Sequence, residues 1–525
     1  MQTSTSSNHL AMLDSLRSPG SPTVPDSRDR TDSVGSNRED VTSTSRVGAA
    51  FTTFACSISG GLLTLPAVFA HAALAPAMIL CSIAGVSCIF SLLALVMCAD
   101  LNPRLRNYGH LLGWFGGVKM EKAMLGIIGL FLTGALGGTF IIVHDYMVEV
   151  FGKGLYGNGA TTLAASFVAL VALPKDVGKL VYAGTCSVMG FCFLVFTLFE
   201  YAENELASQS ASDPTPWPWW PVKNSSIYGP PQKNGVQGGY DVWYAVANSF
   251  PPLFYVFGCQ FQIFDIFFSV ESGRLSQVQN RLNHGRELDL VDNDEKSHGK
   301  ATLYFLPVII GACSMMCCMF ILVGFCGVIA FPRYHMKGDV LQMLVGRGDL
   351  GDIARGVVVT AMLLAAPLLV NPTRHFFASV LRYVCCQGSR HRTQGALFNF
   401  LLTFGVVGMS LSLALSGLNF LSIVSIMGAF LGAPLFFILP GITLVSILNI
   451  NVNEDSHWLL EKHAAHSADQ MQERSSAIQT QVRLVNQRKK KWLSPCAQWT
   501  AWFMGIYLCV VGIITLALSV YKFFC

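Results

Sequence analysis

The sequence predicts an all-α integral membrane protein, and three observations carry that expectation. The chain of 525 residues is 52% hydrophobic and only 13% charged, with a mean hydropathy of +0.48, a composition typical of membrane-embedded chains. Apolar runs recur that reach the roughly 20 residues needed to cross a hydrocarbon core about 30 Å thick. Lys and Arg crowd into alternate loops between those runs, as they do when one side is cytoplasmic. Net charge is only +4, and the basic residues form no aromatic-studded face, so no nucleic-acid partner is expected.

Residues 1–46 are rich in Ser, Thr, Arg and Asp and nearly empty of aromatics. They lack the apolar surface needed to fold and read as a disordered cytoplasmic tail. Eleven candidate spans follow, at 49–70, 75–99, 123–143, 160–173, 180–198, 244–268, 303–331, 353–370, 396–415, 418–448 and 501–520. The fourth is the shortest and is ended by Pro174. The chain then divides into a first repeat at 47–201, an extracytoplasmic loop at 202–241, a second repeat at 242–448, a cytoplasmic loop at 449–498 and an eleventh span at 499–525.

With the tail inside, the outer loops carry only Lys153, Lys223, Lys233, Arg333, Lys337 and Arg347, while the inner loops hold the far larger share, including Arg488-Lys489-Lys490-Lys491 before the last span. That cluster is suited to anionic headgroups, so membrane lipids are expected partners. The sequon Asn224-Ser225-Ser226 falls in the long outer loop as a glycosylation candidate. Trp217, Trp219 and Trp220 nearby suit a membrane interface. The 16 cysteines lie mostly within apolar runs and show no CxxC spacing, so they read as small buried hydrophobes. No metal or cofactor motif is found, and the absence of a protease dyad, P-loop, haem spacing or zinc motif argues against an enzyme.

The first span is poor material for a continuous helix. Its middle reads Ser57-Ile58-Ser59-Gly60-Gly61-Leu62-Leu63-Thr64-Leu65-Pro66, where adjacent glycines weaken the helix and Pro66 removes a donor. Broken backbone in hydrocarbon persists only where protein or solute satisfies it. An unwound helix offers amides at one half-helix start and carbonyls at the other half-helix end, partners for a carboxylate and an ammonium. The sixth span repeats the pattern, with Pro251 and Pro252 at its start and Phe257-Gly258-Cys259-Gln260 at its centre. Two breaks five spans apart predict two five-helix halves of opposite orientation, an inverted repeat, with one extra carboxy-terminal helix.

These segments resemble the amino acid/auxin permease family, within the superfamily that shares the LeuT-type fold. The run from Ser59 to Leu74 is similar to the family's GxGxLxLPxAFxxAG opening, and Leu173-Pro174-Lys175-Asp176-Val177-Gly178-Lys179-Leu180 to its fourth-to-fifth connection. Phe257-Gly258-Cys259-Gln260 sits where many members have Phe-x-Cys-His, and Pro367 to Arg374 resembles the eighth-helix PxxxxPxR ending. The resemblance implies an amino acid as substrate. The expected site then places the substrate carboxylate on the amides of Gly60, Gly61 and Leu62, with the hydroxyls of Ser57, Ser59 and Thr64 nearby. The amino group is expected at carbonyls around Phe257 and Gly258, beside Gln260. Each hydroxyl has the alternative of bonding its own helix backbone.

Sodium-coupled members of the family carry an Asn and a Thr where this chain has Ala55 and Ala365, which lack side-chain oxygens. Proton coupling or exchange is therefore expected. Membrane-embedded titratable groups are few: His144 and Asp145 ending the third span, Glu200 ending the fifth and Asp265 in the sixth. Asp265, among Phe261, Ile263, Phe264, Phe267 and Phe268, is the expected proton carrier on the premise that it is buried. Its alternatives are the cytoplasmic vestibule or a loop arginine. The functional expectation is a secondary active amino acid transporter working by alternating access in a plasma or vacuolar/lysosomal membrane. The competing reading is an amino acid sensor on the same scaffold.

Overall fold

The computed structural model describes residues 45–57, 60–101, 107–173, 181–208, 242–271, 301–331, 338–385, 396–449 and 495–524. Ser59, the amino-terminal tail, Asn224 with its tryptophans, and the basic cluster at 488–491 lie outside those residues. The described chain is helical throughout. Among the described residues nine helices are long and apolar enough to cross a bilayer, and the pair Arg46–Ala55 and Gly60–Ala72, bent by 57°, makes a tenth. The fourth span, Leu155–Val171, has 17 residues, at the lower limit for crossing.

The first span is helical over Arg46–Ser57, turns as a 3-10 segment over Gly60–Thr64 and resumes over Leu65–Ala72. The sixth is helical over Val242–Val256, unwinds at 257–259, passes through a 3-10 turn at Gln260–Gln262 and continues over 263–271. Among the described residues five spans thus precede residue 209 and six follow residue 241, and the first of each set is a broken helix.

Two helix groups frame the breaks. The upper half of the first span packs against the seventh, Ala301–Ala330, where glycines permit close approach. A Cβ on Gly324 would meet the Phe69 ring, and one on Gly327 would meet Pro66. The seventh also packs along the second, Leu74–Leu101, where Asp100 accepts from the Thr302 amide and hydroxyl at 3.1 and 2.7 Å. In the other group the eighth span packs on the third and fifth, and the ninth, Ala396–Leu415, packs on the third. Ser410 there donates to the Thr133 carbonyl at 3.0 Å.

The third span runs within a helix spanning Tyr108–Phe151 that kinks at Gly117, whose φ of 73° admits glycine readily and other residues at a cost. The eighth is longer than expected. The sequence places its end near Val370, but the helix runs Asp349–Cys385 through Pro367 and Pro372. Neighbouring groups support this stretch: Thr373 bonds the Leu369 carbonyl at 2.6 Å, and buried Arg374 donates to the Ala172 carbonyl at 3.1 Å, to Thr403 at 3.3 Å and to Asn371 at 3.0 Å. Arg374 of the PxxxxPxR ending therefore joins the eighth span to the ends of the fourth and ninth.

The tenth span carries two π-helical stretches, Met427–Gly432 and Pro434–Ile438, between α-helical ends at Phe420–Ile426 and Leu439–Asn449. Wider turns present carbonyls sideways, and side chains of other elements engage two of them. Ser91 bonds the Phe436 carbonyl and Tyr108 the Leu435 carbonyl. The eleventh span, Pro495–Phe524, packs on the tenth, with Gly505 against Gly441, and reaches the second through Tyr507 and Ser87 at 3.0 Å.

Only one residue, Ala73, connects the first span to the second. It has φ 69° and ψ 158°, a conformation essentially reserved for glycine. Leu65, Pro66 and Phe69 align the GxGxLxLPxAFxxAG pattern so that its closing glycine falls on Ala73.

Candidate functional site

The two breaks face one another. A Cβ on Gly61 would lie 2.9 Å from the Tyr255 ring and 3.2 Å from Val256, so the first break touches the end of the sixth span's first half. A Cβ on Gly60 would meet Ile142 of the third span at 2.9 Å, Met362 of the eighth at 3.0 Å and Phe420 of the tenth at 3.2 Å. Any ligand held by the Gly60–Thr64 turn is therefore sized by Ile142, Met362, Phe420 and Tyr255. Each is an apolar or aromatic residue within a largely apolar span, so sequence patterning does not reveal them.

A 3-10 turn bonds each amide to the residue three before it, so of Gly60, Gly61 and Leu62 the amides of Gly60 and Gly61 are the ones without an acceptor from the turn itself. All three residues are buried, as is Thr64. The hydroxyls take the alternative course: Thr64 donates to the Gly61 carbonyl at 2.7 Å and Ser57 to the Phe54 carbonyl at 2.7 Å. Each keeps only its acceptor lone pairs for another group.

At the second break the Gly258 amide bonds the Tyr255 carbonyl at 3.1 Å and the Cys259 amide bonds the Phe257 carbonyl at 2.9 Å. The Cys88 thiol reaches the same Phe257 carbonyl at 3.7 Å. Both of these donors compete with an ammonium for the Phe257 carbonyl. Gln260 offers an acceptor instead. It is fully buried, its Nε2 lies 3.8 Å from the Cys88 sulfur, and its Oε1 has no partner. An unpaired buried amide oxygen is costly and points to a group not present.

From the breaks a column of aromatic rings descends toward the start of the third helix. Tyr255 lies 5.6 Å from Phe131, Phe131 lies 5.2 Å from Phe436 and 5.3 Å from Phe261, and Tyr108 stands 5.4 Å from Phe261 at the far end. Gly258 faces Phe436, where a Cβ would come within 2.9 Å.

Asp265 departs from its expected setting. Ile263, Phe264, Ile266 and Phe267 are buried, but Asp265 itself is exposed, because its position on the helical segment 263–271 turns it away from the packed face. At the opposite end of the molecule, Asp145 pairs with Gln342 at 2.8 Å. Nearby Arg355, buried, forks onto Glu149 and lies 3.5 Å from Asp352.

Ala55 meets the fifth span at Gly184, where a Cβ would touch Ala55 and Leu368 of the eighth at 3.6 Å each. That junction is lined by carbon. A cavity of about 610 Å³ between the third, fifth and eighth spans, lined by Tyr146, Cys186, Asp352, Gly356, Thr360 and Leu364, does not include either break.

The profile of the family described as "Transmembrane amino acid transporter protein" matches residues 42–235 and 300–465. No curated protein sequence matches this chain. Among solved structures the chain is similar to a Na+-coupled sialic acid symporter in a substrate-bound outward-open state, with TM-score 0.48 and 12% identity over 91% of this chain and 90% of that one. It is also similar to the Eremococcus coleocola manganese transporter in complex with an aromatic bis-isothiourea compound, with TM-score 0.41 and 11% identity over 95% of this chain and 97% of that one.

Proposed function

Because the chain belongs to the transmembrane amino acid transporter family, we propose that it is a secondary active carrier that moves an amino acid by alternating access, coupled to protons or to exchange rather than to sodium. The observation that carries this reading is the opposition of the two helix breaks, with Gly61 against Tyr255. One break supplies buried amides for the substrate carboxylate. The other supplies the unpaired Oε1 of Gln260 for its ammonium. In this reading Gln260 takes the part first given to the carbonyls of Phe257 and Gly258.

The coupling assignment is supported by the carbon-lined junction of Ala55, Gly184 and Leu368. A sodium ion needs several oxygen ligands, and those side chains offer none. Asp265 enters as the proton relay. The first, second, sixth and seventh spans move as a bundle against the third, fourth, eighth and ninth. The amino terminus is cytoplasmic, and the protein works in the plasma membrane or in a vacuolar or lysosomal membrane.

The test is uptake of a labelled amino acid mixture into proteoliposomes, with pH and sodium gradients imposed separately. Accumulation driven by the pH gradient, lost in Gly61→Leu and weakened in Gln260→Leu, is the expected result. Accumulation that follows sodium alone overturns the coupling assignment. Binding of an amino acid without uptake or counterflow under any gradient makes the protein a sensor.

A further inference from the structure

The segment 338–344 follows the seventh span and folds onto the first break. Asp339 caps a 3-10 turn over Val340–Met343, its Oδ1 accepting the Leu341 amide at 2.8 Å. That turn packs against the Gly60–Thr64 turn. At one end Gly338 lies against Asn419 and Leu421, the start of the tenth span. At the other, Gln342 is bonded to Asp145 of the third. The segment therefore bridges three spans directly above the site proposed for the substrate carboxylate.

Its anchors carry more acid than base. Asp339 is 2% exposed. Asp145 acts on it from the third span, which also carries His144 and Glu149, Arg355 acts on it from the eighth, where Asp352 lies beside Arg355, and Arg347 belongs to the connecting turn. Arg355, 5% exposed, is already forked onto Glu149, and its Nε has no acceptor. Asp339 keeps Oδ2 and Asp145 keeps Oδ1 without a protein donor among the described residues. Burial of the Asp339 carboxyl, with the charge of Asp145 nearby, favours its neutral form even with Arg355 opposing. The ligand that gives that form is a proton.

We propose that the Asp339 carboxyl takes up a proton when segment 338–344 docks beside Asp145, and that this proton latches the segment over the first helix break. The inference deepens the transport reading, on which its physiological role rests, by naming what closes the mouth beside Asp145. Burial, with the nearby charge of Asp145 adding to it, pushes the Asp339 carboxyl up to about 7, against the opposing pull of the Leu341 amide and Arg355. Released from the segment's docked position, the carboxyl returns to the ordinary range near 3.8. Docking therefore takes up a proton between those values. The latch is complete in acid and is lost progressively as pH rises to about 7.

Hydrogen–deuterium exchange of peptides covering 338–344 in the full-length purified protein, corrected for intrinsic chemistry, reads the latch directly. Protection is expected to fall about tenfold per pH unit from pH 5 to 7 and then level off. Asp339→Asn, which carries its own N–H donor, is expected to keep the acid-level protection across that range. Asp145→Asn is expected to move the levelling-off to lower pH. Protection that is equal at pH 5 and pH 7.5 in the wild type, or a wild-type profile in both variants, overturns the proposal. Should Asp339→Asn fail to fold, the Asp145→Asn profile alone decides. Counterflow at equal pH on both sides separates the two readings. Its absence alongside pH-dependent protection defeats transport and leaves the latch, and its presence alongside pH-independent protection does the reverse.

Discussion

The two ends of the proposed transport path are closed by different chemistry. Above the first break lies segment 338–344, held by Asp339, the Asp145–Gln342 bond and the adjoining Arg355–Glu149 pair. Below it stand the rings of Tyr255, Phe131, Phe261, Phe436 and Tyr108, with a single hydroxyl bonding the Leu435 carbonyl at the far end. Charge pairs respond to pH and salt, whereas ring packing responds to neither. A carrier so built opens one mouth by changing protonation and the other by moving helices as bodies.

The comparison is broken most severely at the ring column. Phe436 is fully buried between two helices, so Phe436→Ala is expected to cost about 3–5 kcal/mol. Thermal unfolding in detergent would show it, with no dependence on pH between 5 and 8. A pH-dependent loss would mean that the column is not apolar in function. Next comes Glu149→Gln, which leaves the buried Arg355 guanidinium with only Asp352 at 3.5 Å. A loss of about 2 kcal/mol, below the range for a fully buried pair because Glu149 is partly exposed, is expected by the same assay. Double-mutant coupling with Asp352→Asn should exceed zero.

Legibility in the sequence followed chemistry rather than depth in the membrane. Gly60, Gly61 and Pro66 announced the first break, and Gly258 with Gln260 the second, because glycine, proline and a polar amide are rare signals within apolar runs. The closures were not legible. Phe131, Phe436, Ile142 and Met362 sit in spans apolar on every face, where lipid-facing and core-facing positions share one composition. Tyr108 and Asp339 lie beyond the ends of spans, and each meets partners far along the chain. The Ser57 and Thr64 hydroxyls could serve a substrate or their own backbone on sequence alone, and geometry assigns them to their own turns. Asp265 shows the same limit: apolar sequence neighbours do not tell which face of the helix a residue occupies.

Smaller changes sharpen the contrast. Tyr108→Phe removes one hydrogen bond and keeps the ring, so it should cost about 1 kcal/mol. It should also speed exposure of the adjoining end, read by labelling a cysteine placed at Phe264. Near the upper closure, Ala73→Gly relieves a backbone conformation that alanine adopts at a cost. It is expected to raise stability by about 1 kcal/mol or less, the gain at this site offset by glycine's greater freedom when unfolded. No gain would indicate that the junction relaxes in the membrane.

Arg374 sets an order of assembly. Its guanidinium is buried at the eighth span, and the acceptors it reaches include the carbonyls of Ala172 and Leu173 at the close of the fourth. A ribosome delivers those carbonyls some two hundred residues before the arginine that solvates against them. Until then the fourth helix, 17 residues long, presents a polar end without its partner. Insertion of the first half is thus completed by the second, and truncation before Arg374 should leave the fourth helix as the segment released to quality control.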